Sequence, residues 1–172
     1  MPTVLDGVTS NETINVMWVE TLADPSAPEL AEIQHASSVA LECLVTNNLN
    51  IDFSIERTQL RRMCSRQVRE RSGPVTYSIE DLFIVYNPQN LSADVSKAYA
   101  ALTDGATGYL VERRGLHVDT PWAEGQLVRV IPVEVGNANP APPEDDNELQ
   151  ARVAFTIIGQ VHKDVPIGGG SA

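Results

Sequence analysis

Apolar and polar positions alternate with a period of two along most of the chain, and that period predicts strands. In "INVMWVE" (14–20), Ile14, Val16 and Trp18 alternate with Asn15, Met17 and Val19, which fits a mostly buried strand. "GPVTYSIEDLFIVYNP" (73–88) runs from a Gly-Pro to an Asn-Pro, both turn signals. Within it Val75, Tyr77 and Ile79 alternate with polar residues before the apolar run "LFIVY" begins, so one half reads as solvated and the other as covered. "ATGYLVERRG" (106–115) and "EGQLVRVIPVEVG" (124–136) read as two further strands, each closed by Gly, with Pro132 demanding an edge position or a bulge. In "ARVAFTIIGQVHKDVPI" (151–167), Val153, Phe155, Ile157 and Val161 share one face and Arg152, Thr156, Gln160, His162 and Asp164 the other. Ile158 breaks that alternation and Gly159 marks a bulge, so this long run is expected to bend.

One segment changes period. In "LSADVSKAYAALTDGATG", Val95, Ala98, Tyr99 and Leu102 repeat at helical spacing, with Ser92 as N-cap, Asp94 in the first turn and Gly105 as a left-handed C-cap. The expected helix covers about residues 92–104. A shorter second helix is expected after Pro28 within 24–37. The Pro-rich, acidic "GNANPAPPEDDNELQ" (136–150) reads as a long exposed loop, and residues 168–172, "GGGSA", as a flexible tail. The fold class is therefore mainly β (α+β), with one helix packed beside five to seven strands.

Charge adds one feature. The chain of 172 residues carries a net charge of −11, yet Arg57, Arg61, Arg62, Arg66, Arg69 and Arg71 supply half of its 12 basic side chains within "RTQLRRMCSRQVRERSGP". Built as a helix, the segment would align Arg62, Arg66 and Arg69; built as an extended loop, its arginines would reach in several directions. Three readings stand: a solvated charge run, a surface that docks onto acidic protein, or a grip on nucleic acid. The acidic balance disfavours the last, because phosphate binding rests on positive potential, and aromatic partners for base stacking are missing nearby. Arginine pairs bidentately with carboxylates, which suits docking.

Catalytic and metal constellations are not legible. No phosphate-binding loop, nucleophile elbow or H-E-x-x-H occurs. His35, His117, His162, Cys43 and Cys64 lack ligand-like spacing, and the two cysteines read as free thiols rather than a disulfide scaffold. No catalytic, cofactor-binding or metal residue is therefore assigned, and no cofactor is expected. No apolar run nears the roughly 20 residues of a membrane-spanning helix, and the first residues show no secretory pattern, so folding in a cytoplasm is the expectation.

With these elements placed, the sequence resembles the major tail tube proteins of long-tailed (siphovirus-like) bacteriophages, especially those infecting actinobacteria. The phrases that carry the resemblance are "LADPSAPELAEI" (22–33), "CSRQVRERSGPVTYSIEDLFIVYNPQ" (64–89), "VSKAYAALTDGATGYLVERRG" (95–115) and "RVAFTIIGQVHKDVPI" (152–167). The resemblance implies a β-sandwich or half-barrel subunit over residues 1–167, tail-tube-like, with the helix at its side. It implies a structural, non-enzymatic virion protein, assembled in the bacterial host cytoplasm, whose rings of six stack into a tube that conducts DNA without specific binding. The implied partners are further copies of the chain and the tape-measure, tail tip and tail terminator proteins; no membrane is involved. Under it, the six arginines form an inter-ring contact, with Glu144, Asp145 and Asp146 as acidic acceptors. The alternatives are a nucleic-acid-binding β-barrel module using Arg57–Arg71, and the tube of a contractile tail or secretion system.

Overall fold

A computed structural model describes residues 7–10, 12–47, 49–144 and 147–169. Nine strands are present among them: β1 (Ile14–Val19), β2 (Val39–Ala40), β3 (Ile51–Leu60), β4 (Arg69–Ile79), β5 (Leu82–Val85), β6 (Thr107–Arg114), β7 (Leu127–Pro140), β8 (Gln150–Ile157) and β9 (His162–Pro166). Seven form one antiparallel sheet in the order β2-β1-β6-β7-β8-β5, with β9 also on β7; β3 and β4 form a sheet of their own. The larger sheet curls into a half-barrel, as the resemblance implies.

The segment after β2 ties the two sheet edges together. The Leu41 N–H donates to the Val16 carbonyl on β1, while Thr46 donates to Phe83 and Leu44 accepts from Val85 on the free edge of β5. Backbone groups at both edges are thereby satisfied, and the concave face encloses a core that includes Val16, Trp18, Leu110, Ile131, Val133 and Val153. The opposite face of β1, β6 and β7 is covered as well. Val19, Val111, Val128 and Val130 pack there with Ile33 of α1 (Leu30–Ile33) and with Ile167. Burial on both faces explains why β7 reads as a nearly unbroken apolar run.

Several expectations shift in detail. The 73–88 run is two strands: β4 ends at Ile79 and β5 begins at Leu82, in a different sheet. Gly73-Pro74 is a bulge inside β4, where the register with β3 slips, and a Cβ on Gly73 would lie 3.1 Å from the Glu56 carbonyl oxygen. Pro132 lies in a central strand. Its carbonyl accepts from Ile158, so its missing N–H faces the break between β8 and β9, where no ladder partner is required. The 151–167 run is interrupted there as expected, around Gly159, whose absent Cβ leaves room for the Pro132 ring. Residues 136–140 belong to β7, which shortens the connection to 141–149. Gly168, the first residue of the expected tail, exchanges backbone hydrogen bonds with Pro28 and Leu30, and residues 170–172 lie outside the described residues.

The helix is shorter than the 92–104 its stripe predicts. A 3-10 turn (Asp94–Ser96) leads into α2 (Lys97–Ala101). Ser96, not Ser92, is the structural hydroxyl: buried, it accepts from the Asn87 N–H and donates to the Asn90 carbonyl, competing with regular helix. Ala98 and Leu102 are fully buried, and Tyr99 stacks on Tyr86 with centroids 4.5 Å apart. Gly105 does take a left-handed φ of 76°, and its N–H donates to the Val135 carbonyl within β7.

Arg113, 1% exposed, anchors the loop after β6. Its guanidinium donates to the carbonyls of His117, Thr120 and Pro121 and to the Gln126 side chain, and lies 4.7 Å from the Trp122 ring centroid. Burial pushes its pKa down from the ordinary value, with Glu42 opposing.

Two substitutions test these packing arguments. Gly108→Ala would set a Cβ 2.7 Å from the Trp18 ring; overpacking of this kind costs about 1–3 kcal/mol, to be read as a lowered urea midpoint at unchanged slope. Arg113→Met strands three carbonyls and is expected to cost about 2–4 kcal/mol. Hydrogen exchange should then quicken across 115–126 and stay slow in β7.

Candidate functional site

The β3–β4 hairpin is the feature that the fold itself does not consume. Its strands pair only with each other, and from Asp52 to Thr76 every residue is exposed. The sequence pattern for β3 was present, since Ile51, Phe53 and Ile55 alternate with Asp52, Ser54 and Glu56. The arginine-rich segment is not a helix, and its loop is confined to residues 61–68 between two strands. Arg57 lies in β3, Arg69 and Arg71 lie in β4, and Arg61, Arg62 and Arg66 lie in the connecting tip.

The register fixes the faces. Ile51 lies opposite Ile79, Phe53 opposite Tyr77 and Ile55 opposite Val75, so one face of the proximal half carries an apolar ladder. Phe53 remains 54% exposed and Val75 48%. Beyond the Gly73-Pro74 bulge the ribbon turns cationic. Arg57 continues the apolar face, with Glu70 only 3.8 Å away, while Arg69 and Arg71 occupy the opposite one. Among the described residues that is the one carboxylate within ion-pair distance of any of the six arginines. Six arginines against Glu70 give residues 57–71 a charge of +5, which leaves −16 on the rest of a chain whose net is −11.

Direction follows from proximity. Ile51, Phe53 and Tyr77 border the same cleft as Leu127 and Val128, and Phe53 and Tyr77 lie near Lys163 of β9. The root of the hairpin therefore stands at the Leu127 end of β7. Its tip lies roughly 23 Å farther along the ribbon, at about 3.3 Å per residue. The acidic connection 141–149 follows Pro140 at the other end of β7. Glu144 accepts a hydrogen bond from the Asn147 side chain; Asp145 and Asp146 lie outside the described residues. The described arginines and Glu144 thus do not meet within one chain.

Between the hairpin root and the sheet is a cleft of about 420 Å³, bordered by Phe53, Tyr77, Glu112, Arg114, Arg129 and Lys163. Glu112, 1% exposed, is held by Arg114 (2.7 Å) and by Arg129 (Nε–Oε2 2.7 Å). A buried carboxylate needs such partners. Glu112, Arg114 and Arg129 were not singled out from sequence. The signal was there, in charged residues set among apolar strand neighbours, "VERR" and "VRV", which a buried strand tolerates only when paired. Glu80 and Asp81 occupy the break between β4 and β5, and Asp81 pairs with Arg152. Among the described residues no three His, Cys, Asp or Glu side chains converge on a common point, and no helix is long and apolar enough to cross a membrane.

Because Arg61, Arg62 and Arg66 are exposed and outside every ion pair found, replacing all three with Glu is expected to change unfolding free energy by no more than about 0.5 kcal/mol per site. Urea denaturation of the soluble variant checks this.

No curated protein matches the chain. The family model described as phage tail tube protein matches residues 1–170, nearly the whole sequence. A half-barrel with a charged ribbon projecting from one end is thus a structural subunit of the virion tail, one that assembles into a tube with other tail proteins. The chain belongs to the phage tail tube protein family.

Proposed function

We propose that the chain closes into rings, six subunits to a ring, which stack head to tail into the tube of a siphovirus-like tail with an actinobacterial host. Genome DNA passes through the lumen. The observation that carries the stacking direction is the charge separation along one strand. The +5 ribbon leaves the Leu127 end of β7, and the acidic connection with Glu144 follows its Pro140 end. Thirteen residue steps separate those ends, up to about 43 Å at strand rise.

A contact between unlike ends repeats indefinitely and generates an open filament rather than a closed pair. Arg57, Arg61, Arg62, Arg66, Arg69 and Arg71 then dock on the acidic surface of the next ring, with Glu144, Asp145 and Asp146 as candidate acceptors. Guanidinium and carboxylate match in geometry as well as charge. The remaining acid excess suits a conduit, since phosphates repelled from the wall do not bind along its length. Tape-measure, tip and terminator proteins would meet the tube inside and at its ends, and assembly in the host cytoplasm needs no cofactor.

Negative-stain electron microscopy over a concentration series tests this. The wild type is expected to form hollow tubes or six-membered rings. The Arg61→Glu, Arg62→Glu, Arg66→Glu variant is expected to remain in single rings or subunits while unfolding like wild type. Tubes of normal length from that variant would remove the arginines from the stacking contact. Retention of DNA by soluble wild-type protein at low salt, lost in the variant, would assign them to nucleic acid instead.

A further inference from the structure

The hairpin shares no ladder with the half-barrel, so side chains at its root must set the direction in which it projects. Ile51, Tyr77 and Ile79 reach the edge of the interior core. Beside them the cleft leaves the ribbon unsupported, and one side chain spans the gap. The Lys163 ammonium lies 5.3 Å from the centroid of Phe53 and 5.2 Å from that of Tyr77, one ring from each strand. Both distances fall within the range at which a cation is attracted to an aromatic face.

The backbone of β9 is distorted at this point. Val165 pairs with Val128 and His162 with Val130, so three steps on β9 oppose two on β7. The bulge consists of Lys163 and Asp164, and Asp164 takes a left-handed φ of 52°. Val130 packs in the outer cluster, so its partner His162 lies on that face and Lys163 on the other, which Val161 shares. The extra residue places Asp164 there too before Val165 returns to the outer face, and both Lys163 and Asp164 border the cleft. Bulges re-aim side chains in this way, and a non-glycine residue in the left-handed region is retained where its surroundings demand it.

We propose that Lys163 is the positioning residue of the hairpin: a latch that holds the ribbon of the free subunit at the angle required to enter the next ring. The assembly half of this proposal rests on the stacking reading above; the latch itself does not. Latched, the ribbon meets a neighbour already oriented; unlatched, it swings over the cleft and must be reordered at each addition.

Hydrogen exchange with mass spectrometry on the soluble subunit, below the concentration of assembly, reads the latch directly. Lys163→Met, which keeps the chain length and removes the cation, is expected to speed exchange in 51–60 and 69–79 at least tenfold. Exchange in β6 and β7 should be unchanged, and Lys163→Arg should restore protection. Equal exchange in wild type and Lys163→Met overturns the latch, and so does a loss of protection spread evenly over the barrel. Tube elongation followed by light scattering is expected to slow at least fivefold in Lys163→Met; unchanged elongation with a loosened hairpin overturns the link to assembly. Failure of the wild type to form tubes would count against the stacking reading and leave the exchange result standing.

Discussion

A two-stranded ribbon with both edges open is marginal in water, and the arrangement of this molecule follows from carrying one of 10 and 11 residues. Such a ribbon has unpaired backbone groups along each side and invites pairing with any other strand. Here the edges carry arginines, and the Gly73-Pro74 bulge removes a donor and breaks the register partway along. Like charge keeps free ribbons apart. The same charge complements a body of opposite sign. The solvated and docking readings of the arginine segment are therefore two consequences of one distribution, and the apolar ladder near the root is left for whatever covers it in the assembly.

The half-barrel supplies the rigid base that this ribbon requires. From Val128 to Val133, β7 is covered on both faces and flanked by β6 on one edge and by β9 and β8 on the other, with the break between β8 and β9 falling at the donor that Pro132 lacks. Strand ladders of this kind resist local opening more than a loosely attached element does. The closing segment at residues 41–46 removes edges that would otherwise compete with the hairpin for partners. Arg113 fixes the 115–126 loop through carbonyl contacts instead of apolar packing, which accounts for a buried cation in a strand.

What the sequence made legible was whatever local periodicity controls. β1, β6 and the β8–β9 run follow from alternation, and the position of α2 follows from its helical stripe, although a buried Ser96 hydroxyl shortens it. β3 is poorly legible because its apolar alternation, Ile51, Phe53 and Ile55, is short and gives way to the charged arginine segment. The split between β4 and β5 was missed because two strands of different sheets follow one another across only Glu80 and Asp81. The cleft residues were out of reach for another reason. Glu112 meets Arg129 across the β6–β7 ladder, and Lys163 meets Phe53 across a cleft between strands that do not pair, and no local pattern encodes such encounters.

Charge and topology together make the two ends of the subunit chemically different. On the proposed stacking, every interior interface joins a basic ribbon to an acidic surface, so the arginines are occupied by protein carboxylates and withdrawn from phosphates in the lumen. Saturation fails only at the tube's extremities. One terminal ring presents unpartnered ribbons, with exposed arginines beyond an apolar ladder; the other presents unpartnered acidic connections. A protein that starts the tube and one that stops it therefore face surfaces of opposite sign, and need opposite chemistry to bind. On that stacking, a tube of identical subunits acquires a direction from the placement of one cationic hairpin relative to one acidic connection, at opposite ends of β7.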